Sequence, residues 1–462
     1  MKLLTPVMSL VLSLTIGACA LTPPPAVVPA APPGWVAKVP EGGTPGTGWW
    51  ARFDDPLLAA LITQAEGTNP GLQQVLTRIE QARSLARQAA SAQLPQLAAH
   101  GLVQRSRAAQ PGGLPVQTLS SISLDAGWEI DLFGRVRQQA NAAQARAEAS
   151  VFDAQAARLS LAAEVALNYL NLRACERLAQ ISRADADSTA QLAALIQDKL
   201  RVGLEAPANA ALLQAASADA AGRHLAQQAD CDLAVKGLVA LTTLDEAGLR
   251  TQLQDRRARL PETTGLTVSA LPAESLARRP DLAAGRQQVI AAWAERGAAE
   301  AARYPQLQLS GSIGLANLRI SGMSAGSDEG RGWSFGPTLS LPLFDGGLRR
   351  AQADAAQARF DEALAALRSA VLQAVREVEE ALVRLDAARQ REGFAQTSAD
   401  GYRASFTATE SRWRAGLASA AELEDARRLS LSAQAALVGV QRDRLAAWIA
   451  LFKATGGDWT KT

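Results

Sequence analysis

Proline placement constrains this chain more than any other feature. None of its 21 prolines falls between Pro115 and Pro207, and none follows Pro342. Inside a helix a proline removes a hydrogen bond and clashes with the preceding turn, so long helices are permitted only in such stretches. From Gly134 to about Val202 there is no glycine either until Gly203. A helix of nearly 70 residues rises about 100 Å. A second candidate runs from Gly347 to Ala415, with Gly393 and Gly401 expected to weaken its far end. Helices of this length cannot close into one compact domain alone and need antiparallel partners. Pro207 to Leu249 and Ala418 to Thr455 supply them, with Leu, Ala and Val recurring at three- and four-residue spacing. Alanine makes up roughly a fifth of the chain, which suits helices packed closely through small side chains.

Four segments beside these helices have another character. Leu97–Arg107, Leu119–Leu132, Leu307–Ile320 and Trp333–Leu343 contain alternating stretches such as Ile122-Ser123-Leu124-Asp125. That pattern predicts strands with one polar face. Glycine- and proline-bearing loops at about 108–118 and 321–331 pair them into two hairpins with exposed tips.

The two halves repeat one pattern. Leu94-Pro95-Gln96-Leu97 returns as Tyr304-Pro305-Gln306-Leu307, 210 residues later, and Leu132-Phe133-Gly134 corresponds to Leu343 through Gly347. Asn141-Ala142-Ala143-Gln144-Ala145-Arg146 returns as Asp354-Ala355-Ala356-Gln357-Ala358-Arg359, and Arg201-Val202-Gly203-Leu204 as Arg414-Ala415-Gly416-Leu417, both at 213. The unit is helix, strand hairpin, long helix, turn, helix. The expected fold is therefore mainly α with a small β part, internally repeated. Its domains are a first repeat at 57–260 (hairpin 97–132, helical hairpin 134–249) and a second at 261–462 (hairpin 307–344, helical hairpin 347–455).

Strands of 10–13 residues can cross a bilayer when tilted, but four open strands would leave edge amides unpaired in lipid. Closed barrels begin at about eight strands, so subunits must share one barrel, and three copies give twelve strands. The alternative is a soluble four-stranded sheet in the periplasm.

At the N-terminus, residues 1–18 read as a signal peptide: Lys2, an apolar run from Leu3 to Ile16, and a close at Ile16-Gly17-Ala18-Cys19. The run is too short for a spanning helix. The close resembles the bacterial lipobox, which implies lipidation at Cys19, the alternative being a plain secretory peptide with an incidental cysteine; Ala20 after it suits an outer-membrane destination. Residues 19–56 hold nine prolines and read as a lipidated tether.

The charge balance of +2 gives no reason to expect nucleic acid. Two isolated histidines, His100 and His224, and three cysteines leave too little for a zinc site or a Ser-His-Asp hydrolase. No catalytic residue, metal or cofactor is expected.

Several motifs together resemble the TolC-like outer membrane factor family, in the NodT-type lipoprotein branch that serves resistance–nodulation–division efflux systems. Besides Cys19 they are Trp49-Trp50-Ala51-Arg52-Phe53-Asp54-Asp55-Pro56-Leu57, Asn69-Pro70, Arg78-Ile79-Glu80-Gln81-Ala82-Arg83 and Trp128-Glu129-Ile130-Asp131-Leu132-Phe133-Gly134. Arg278-Arg279-Pro280-Asp281-Leu282 and the closing Leu451 to Trp459 complete the set. The resemblance implies a homotrimer in the Gram-negative outer membrane, its twelve-stranded barrel continued by a helical barrel through the periplasm. It implies passive conduction of substrates handed over by an inner-membrane pump and a periplasmic adaptor. An exit duct for type I protein secretion would share the fold, and a non-conducting periplasmic coiled-coil scaffold lipoprotein is the reading from a different class.

The turns Arg201-Val202-Gly203-Leu204 and Arg414-Ala415-Gly416-Leu417 end the long helices. Glycine tolerates left-handed geometry there and arginine suits the negative helix end; the resemblance adds contact with the adaptor. Channels of this kind close by inward-pointing side chains, for which Asp185, Asp187, Asp198, Asp400, Tyr402 and Glu410 are candidates, each alternatively a solvated surface residue. Cys175 and Cys231 lie 28 residues either side of Gly203 and come level in an antiparallel hairpin, as a disulfide or as two buried thiols. Trp128, Trp333 and Phe335 fit either an aromatic girdle or packing against the helices. Arg278-Arg279-Pro280 is read as the start of a second-repeat helix, with the proline in its first turn.

Overall fold

The structure, a computed structural model, describes residues 34–37, 50, 53–107, 116–262, 276–320 and 328–457. Cys19, the whole signal region and the tips of both strand hairpins lie outside these residues. So do Trp49, Ala51, Arg52, Asp458 and Trp459 of the motifs named above.

The elements run in the repeated order. Helices α1 (Pro56–Thr68) and α2 (Pro70–Ser91) lead to β1 (Gln96–Arg107) and β2 (Val116–Ile130). Then come α3 (Arg135–Arg201), α4 (Pro207–Thr242) and the short α5 (Glu246–Leu253). The second half has α6 (Pro280–Ala301), β3 (Gln306–Ile320), β4 (Asp328–Ser340), α7 (Leu348–Arg414) and α8 (Ala420–Ala454). Both α3 and α7 have 67 residues. Gly393 and Gly401 stay helical inside α7, because the surrounding Ala, Arg and Gln residues hold the helix across two isolated glycines. Conversely, α4 stops at Thr242 instead of reaching Leu249. Thr243 takes a left-handed φ of 57°, and the chain restarts as α5 under the Asp245 cap. The strands also run further into the loops than alternation suggested, β2 starting at Val116 and β4 at Asp328.

Contacts sort the chain into two compact units. One holds Thr77–Val151 and Ala284–Arg368, with all four strands; the other holds Ala30–Leu76, Phe152–Ala283 and Ser369–Thr462. In the first unit the strands form one antiparallel sheet in the order β1-β2-β3-β4. The middle pairing, β2 with β3, joins the two halves, with Gln117 opposite Ile320 and Ile130 opposite Leu307. Val289, Ala292, Phe360 and Leu367 form a small core between α6 and α7, where the Trp293 and Phe360 rings lie 5.2 Å apart.

The second unit explains the motifs. Asp55 caps α1 by accepting from the Leu57 and Leu58 amides at 3.1 and 3.3 Å, and it accepts the buried Tyr169 hydroxyl at 2.8 Å. The Arg173 guanidinium stacks 4.8 Å from the Tyr169 ring centroid and donates to the Leu253 carbonyl. Asn69 receives the Leu72 amide on its oxygen and donates its amide to the Leu241 carbonyl, tying the α1–α2 corner to the end of α4. In the second half, Arg279 donates to Asp281, to Glu377 at 2.9 Å and to the Ala454 carbonyl at 2.8 Å. Gly456, at φ +88°, closes α8 directly against Arg278 and Arg279; a Cβ there would lie 3.0 Å from the Arg278 carbonyl carbon and oxygen. Pro280 opens α6, as the sequence suggested.

Two glycine substitutions therefore carry opposite signs. Gly456→Ala meets backbone in a left-handed conformation and lowers stability by about 1–3 kcal/mol. Gly393→Ala, with open space around the new methyl, raises it by up to about 1 kcal/mol. Thermal unfolding followed by circular dichroism separates the two.

Candidate functional site

The sheet presents two unlike faces. Residues paired across antiparallel strands project to the same side, so the registers assign the faces directly. On one side lie Leu97 and Val103 of β1, Ile122 and Leu124 of β2, Leu309, Ile313 and Leu315 of β3, and Trp333, Phe335 and Leu339 of β4. Most of these are exposed, Val103 at 78% and Trp333 at 80%. On the other side lie His100 and Gln104, Ser121, Ser123 and Asp125, Ser310 and Ser312, and Ser334 and Thr338. Asp125 accepts from Ser123 at 2.9 Å and lies 3.7 Å from His100 Nε2. Trp333 and Phe335 thus stand on the exposed apolar face. Trp128 shares it but is half-buried, its indole donating to the Gln93 carbonyl. Among the described residues no helix is long and apolar enough to cross a membrane; an exposed apolar face such as this one marks a surface that meets a partner or a membrane.

At the far ends of the long helices the two turns are the same structure. Gly203, at φ +72°, donates to the Leu200 carbonyl, and Leu204 donates to Lys199 at 2.8 Å. Gly416, at φ +74°, donates to Trp413, and Leu417 to Arg412 at 2.8 Å. Both are Schellman closures, which cap the last carbonyls and need a left-handed residue. The next helices start differently. Pro207 opens α4 while Glu205 accepts from Ala206 and Asn209, which holds its carboxyl below the usual range. Ser419 and Glu422 form a reciprocal capping box on α8. Arg201 pairs with Asp198, and Arg414 with Glu410 at 2.8 Å. The apolar turn residues Val202, Leu204 and Leu417 are 68%, 76% and 70% exposed, leaving two equivalent apolar knobs beside a cation.

The remaining gate candidates are dispersed. Asp187 pairs with Arg183 on the surface of α3, and Asp400 accepts from Arg403 at 3.1 Å and Gln396 at 2.7 Å. Tyr402 is exposed. Asp185 instead faces the packing between helices, where it accepts from Arg223 of α4 at 3.1 Å. Beside it is a cluster the sequence reading missed. Buried Arg427 of α8 donates to Thr189 of α3 at 3.1 Å and to Glu424 at 3.0 Å, and Thr189 donates to the Asp185 carbonyl. Burial pushes the Glu424 carboxyl up. No spacing rule flags Arg427, because its partner stands 238 residues away. Above this cluster Leu192, Ile196, Ala210, Leu213 and Leu423 pack together.

Cys175 of α3 and Cys231 of α4 are joined as a disulfide, their Cα atoms 5.5 Å apart. With α3 ending at Arg201 and α4 starting at Pro207, the two positions stand level. In the second helical hairpin the matching sites hold buried Ala388, and Arg444, which pairs with Glu392 at 3.2 Å.

Comparison with known proteins gives one consistent result. The family model described as "Outer membrane efflux protein" matches residues 61–244 and 271–457. The outer membrane protein OprJ of Pseudomonas aeruginosa is 32% identical over 98% of this chain and 96% of its own length. The solvent efflux pump outer membrane protein SrpC of Pseudomonas putida is 28% identical over 88% of this chain and 87% of its own. The solved outer-membrane channel OprN superposes with a TM-score of 0.82 at 28% identity, over 93% of this chain and 98% of that one.

The cross-link closes a 56-residue loop, worth up to about 4 kcal/mol by chain entropy. Replacing both cysteines by alanine lowers the urea midpoint of helix unfolding. A reductant does the same to the wild type and nothing to the double variant.

Proposed function

Because this chain belongs to the outer membrane efflux protein family, and is the outer-membrane exit channel of an efflux pump, we propose that three copies build the conduit. Each contributes four strands to a twelve-stranded barrel, and the long helices continue it into the periplasm as two repeats per subunit, 57–260 and 261–462. The observation that carries this reading is the sheet with one exposed apolar face, one polar face and two free edges. In lipid, unpaired edge amides each cost several kcal/mol, so β1 of one subunit pairs with β4 of the next. The apolar face then meets lipid, with Trp333 and Phe335 in an interfacial girdle, and the serine-rich face lines the lumen.

Conduction through such a wall is passive. The lumen offers hydroxyls and a few charges, not a binding pocket, so an inner-membrane transporter selects the small molecules. Lipid on Cys19 anchors each subunit to the outer membrane. The turns at Arg201–Leu204 and Arg414–Leu417 receive the periplasmic adaptor: their apolar knobs supply contact area, their arginines reach carbonyls or acids, and their glycines let a partner backbone approach. Threefold rings formed by Asp187, Asp198, Asp400 or Glu410 attract cations and, together with Tyr402, narrow the resting mouth. Asp185, held by Arg223, acts instead in fixing the helices.

Two outcomes test these roles. Gly203→Trp and Gly416→Trp abolish efflux in a drug-accumulation assay while trimers still form on native gels. Asn, which tolerates the left-handed conformation, retains efflux at both positions; loss of trimers would confine these glycines to folding. In planar bilayers Asp400→Ala lowers cation preference, and an unchanged current removes Asp400 from the gate.

A further inference from the structure

The tether reaches the folded protein at a built site. Val36 donates its amide to Glu379 Oε1 at 2.7 Å, and Ala37 donates its amide to Glu379 Oε2 at 2.8 Å. One carboxylate of α7 therefore takes two successive backbone amides, a charge-assisted pair of the kind that fixes register as well as affinity. The side chains around it alternate as in a strand: Trp35 and Ala37 pack against the cluster of Val378, Leu382, Trp448 and Leu451, while Val36 between them is 96% exposed. Backbone recognition of this kind reads position along the chain and tolerates the side chain that points outward.

We propose that Glu379 is a second anchor for the N-terminal tether, clasping it at Val36–Ala37 so that the lipid and the clasp together set the height of α7 above the membrane. This rests on the reading of Cys19 as lipidated and of the strand ends as the membrane boundary. Fifteen residue steps separate Cys19 from Gly34. They can span no more than about 54 Å, and a polyproline-like chain, suggested by six prolines among residues 20–33, would span about 47 Å at 3.1 Å per residue. Glu379 stands 31 residues into α7, a helical rise of about 47 Å. Reach and rise match, so a lipidated chain can occupy the clasp only with a tether close to its full reach.

Hydrogen exchange read by mass spectrometry on the full-length lipidated protein in nanodiscs tests both parts. The amides of Val36 and Ala37 are expected to be protected in the wild type. Glu379→Ala speeds their exchange about tenfold or more, the effect of losing one charged hydrogen bond. Glu379→Gln, equal in shape with a single acceptor oxygen, loses part of the protection. Deleting residues 26–33 leaves seven steps, a reach of about 25 Å, and the lipidated form then loses protection. The same deletion exported on a signal peptide that is cleaved without lipid keeps it, because nothing pulls on the short tether. Free exchange at Val36 and Ala37 in the wild type, or no effect of Glu379→Ala, overturns the clasp. Retained protection in the shortened lipidated form overturns the matched reach. Failure of the channel reading would appear separately, as absence of conducting trimers in every variant including the wild type, while the exchange of these two amides reports only the clasp.

Discussion

A four-stranded sheet with two free edges and an exposed apolar face is not a stable endpoint in water or in lipid. In water the face of Leu97, Ile122, Ile313 and Trp333 would drive association. In lipid the open edges would leave backbone amides without partners. The proposed closure with other copies would answer both demands. The 67-residue helices follow directly from the sheet's strands, and two hairpin repeats per chain double the number of columns each subunit brings. In the proposed trimer, short strands and long helices are two parts of one wall that no subunit completes alone.

The signature motifs prove to be clasps. Asp54-Asp55-Pro56, Asn69-Pro70, Arg279 with Asp281, and Gly456-Gly457 carry no chemistry of reaction. They cap helices, stitch chain corners to carbonyls on distant helices, and hold α8 against the start of α6. A channel wall needs this kind of residue because its helices are too long to be stabilised by a single compact core. Polar anchors fix their register, at a desolvation cost that is offset only when nearly every partner is in place. Arg173 shows the balance: its stack on Tyr169 and two acceptors hold it, although its Nε and Nη2 find no hydrogen-bond partner. The two repeats differ in how they secure the equivalent place. The first helical hairpin has a covalent link between Cys175 and Cys231, the second an ion pair between Arg444 and Glu392.

Much of this was legible in the sequence because it depends on local chemistry. Proline exclusion picked out the stretches that hold α3 and α7, and the glycines at 134, 203, 347 and 416 placed their ends to within a residue. Glycine followed by leucine marked both Schellman turns, because left-handed geometry selects glycine at one position. Alternation found the strands but misjudged their ends, as edge residues near loops follow pairing more than pattern. The glycines of α7 were read too pessimistically: each costs under about 1 kcal/mol, little beside the packing of a long helix. The stop at Thr243 was missed because no proline or glycine announces it. What ends α4 there is the α1–α2 corner, with Thr68 and Asn69 bonding the last carbonyls from more than 170 residues away.

The functional site divides the same way. Sequence alone determined the repeat, the two turns, the level placement of Cys175 and Cys231, and the division of each strand into polar and apolar sides, because each depends on residues near one another or on a fixed period. Tertiary structure decided which faces coincide across the sheet, that Asp185 turns into the packing while Asp187 and Asp400 stay outside, and that Arg427 and Glu379 meet Thr189 and the tether backbone. Those outcomes depend on contacts between segments tens to hundreds of residues apart, and a one-residue change of register would turn a strand's sides over or swing a helical side chain about 100° around its axis.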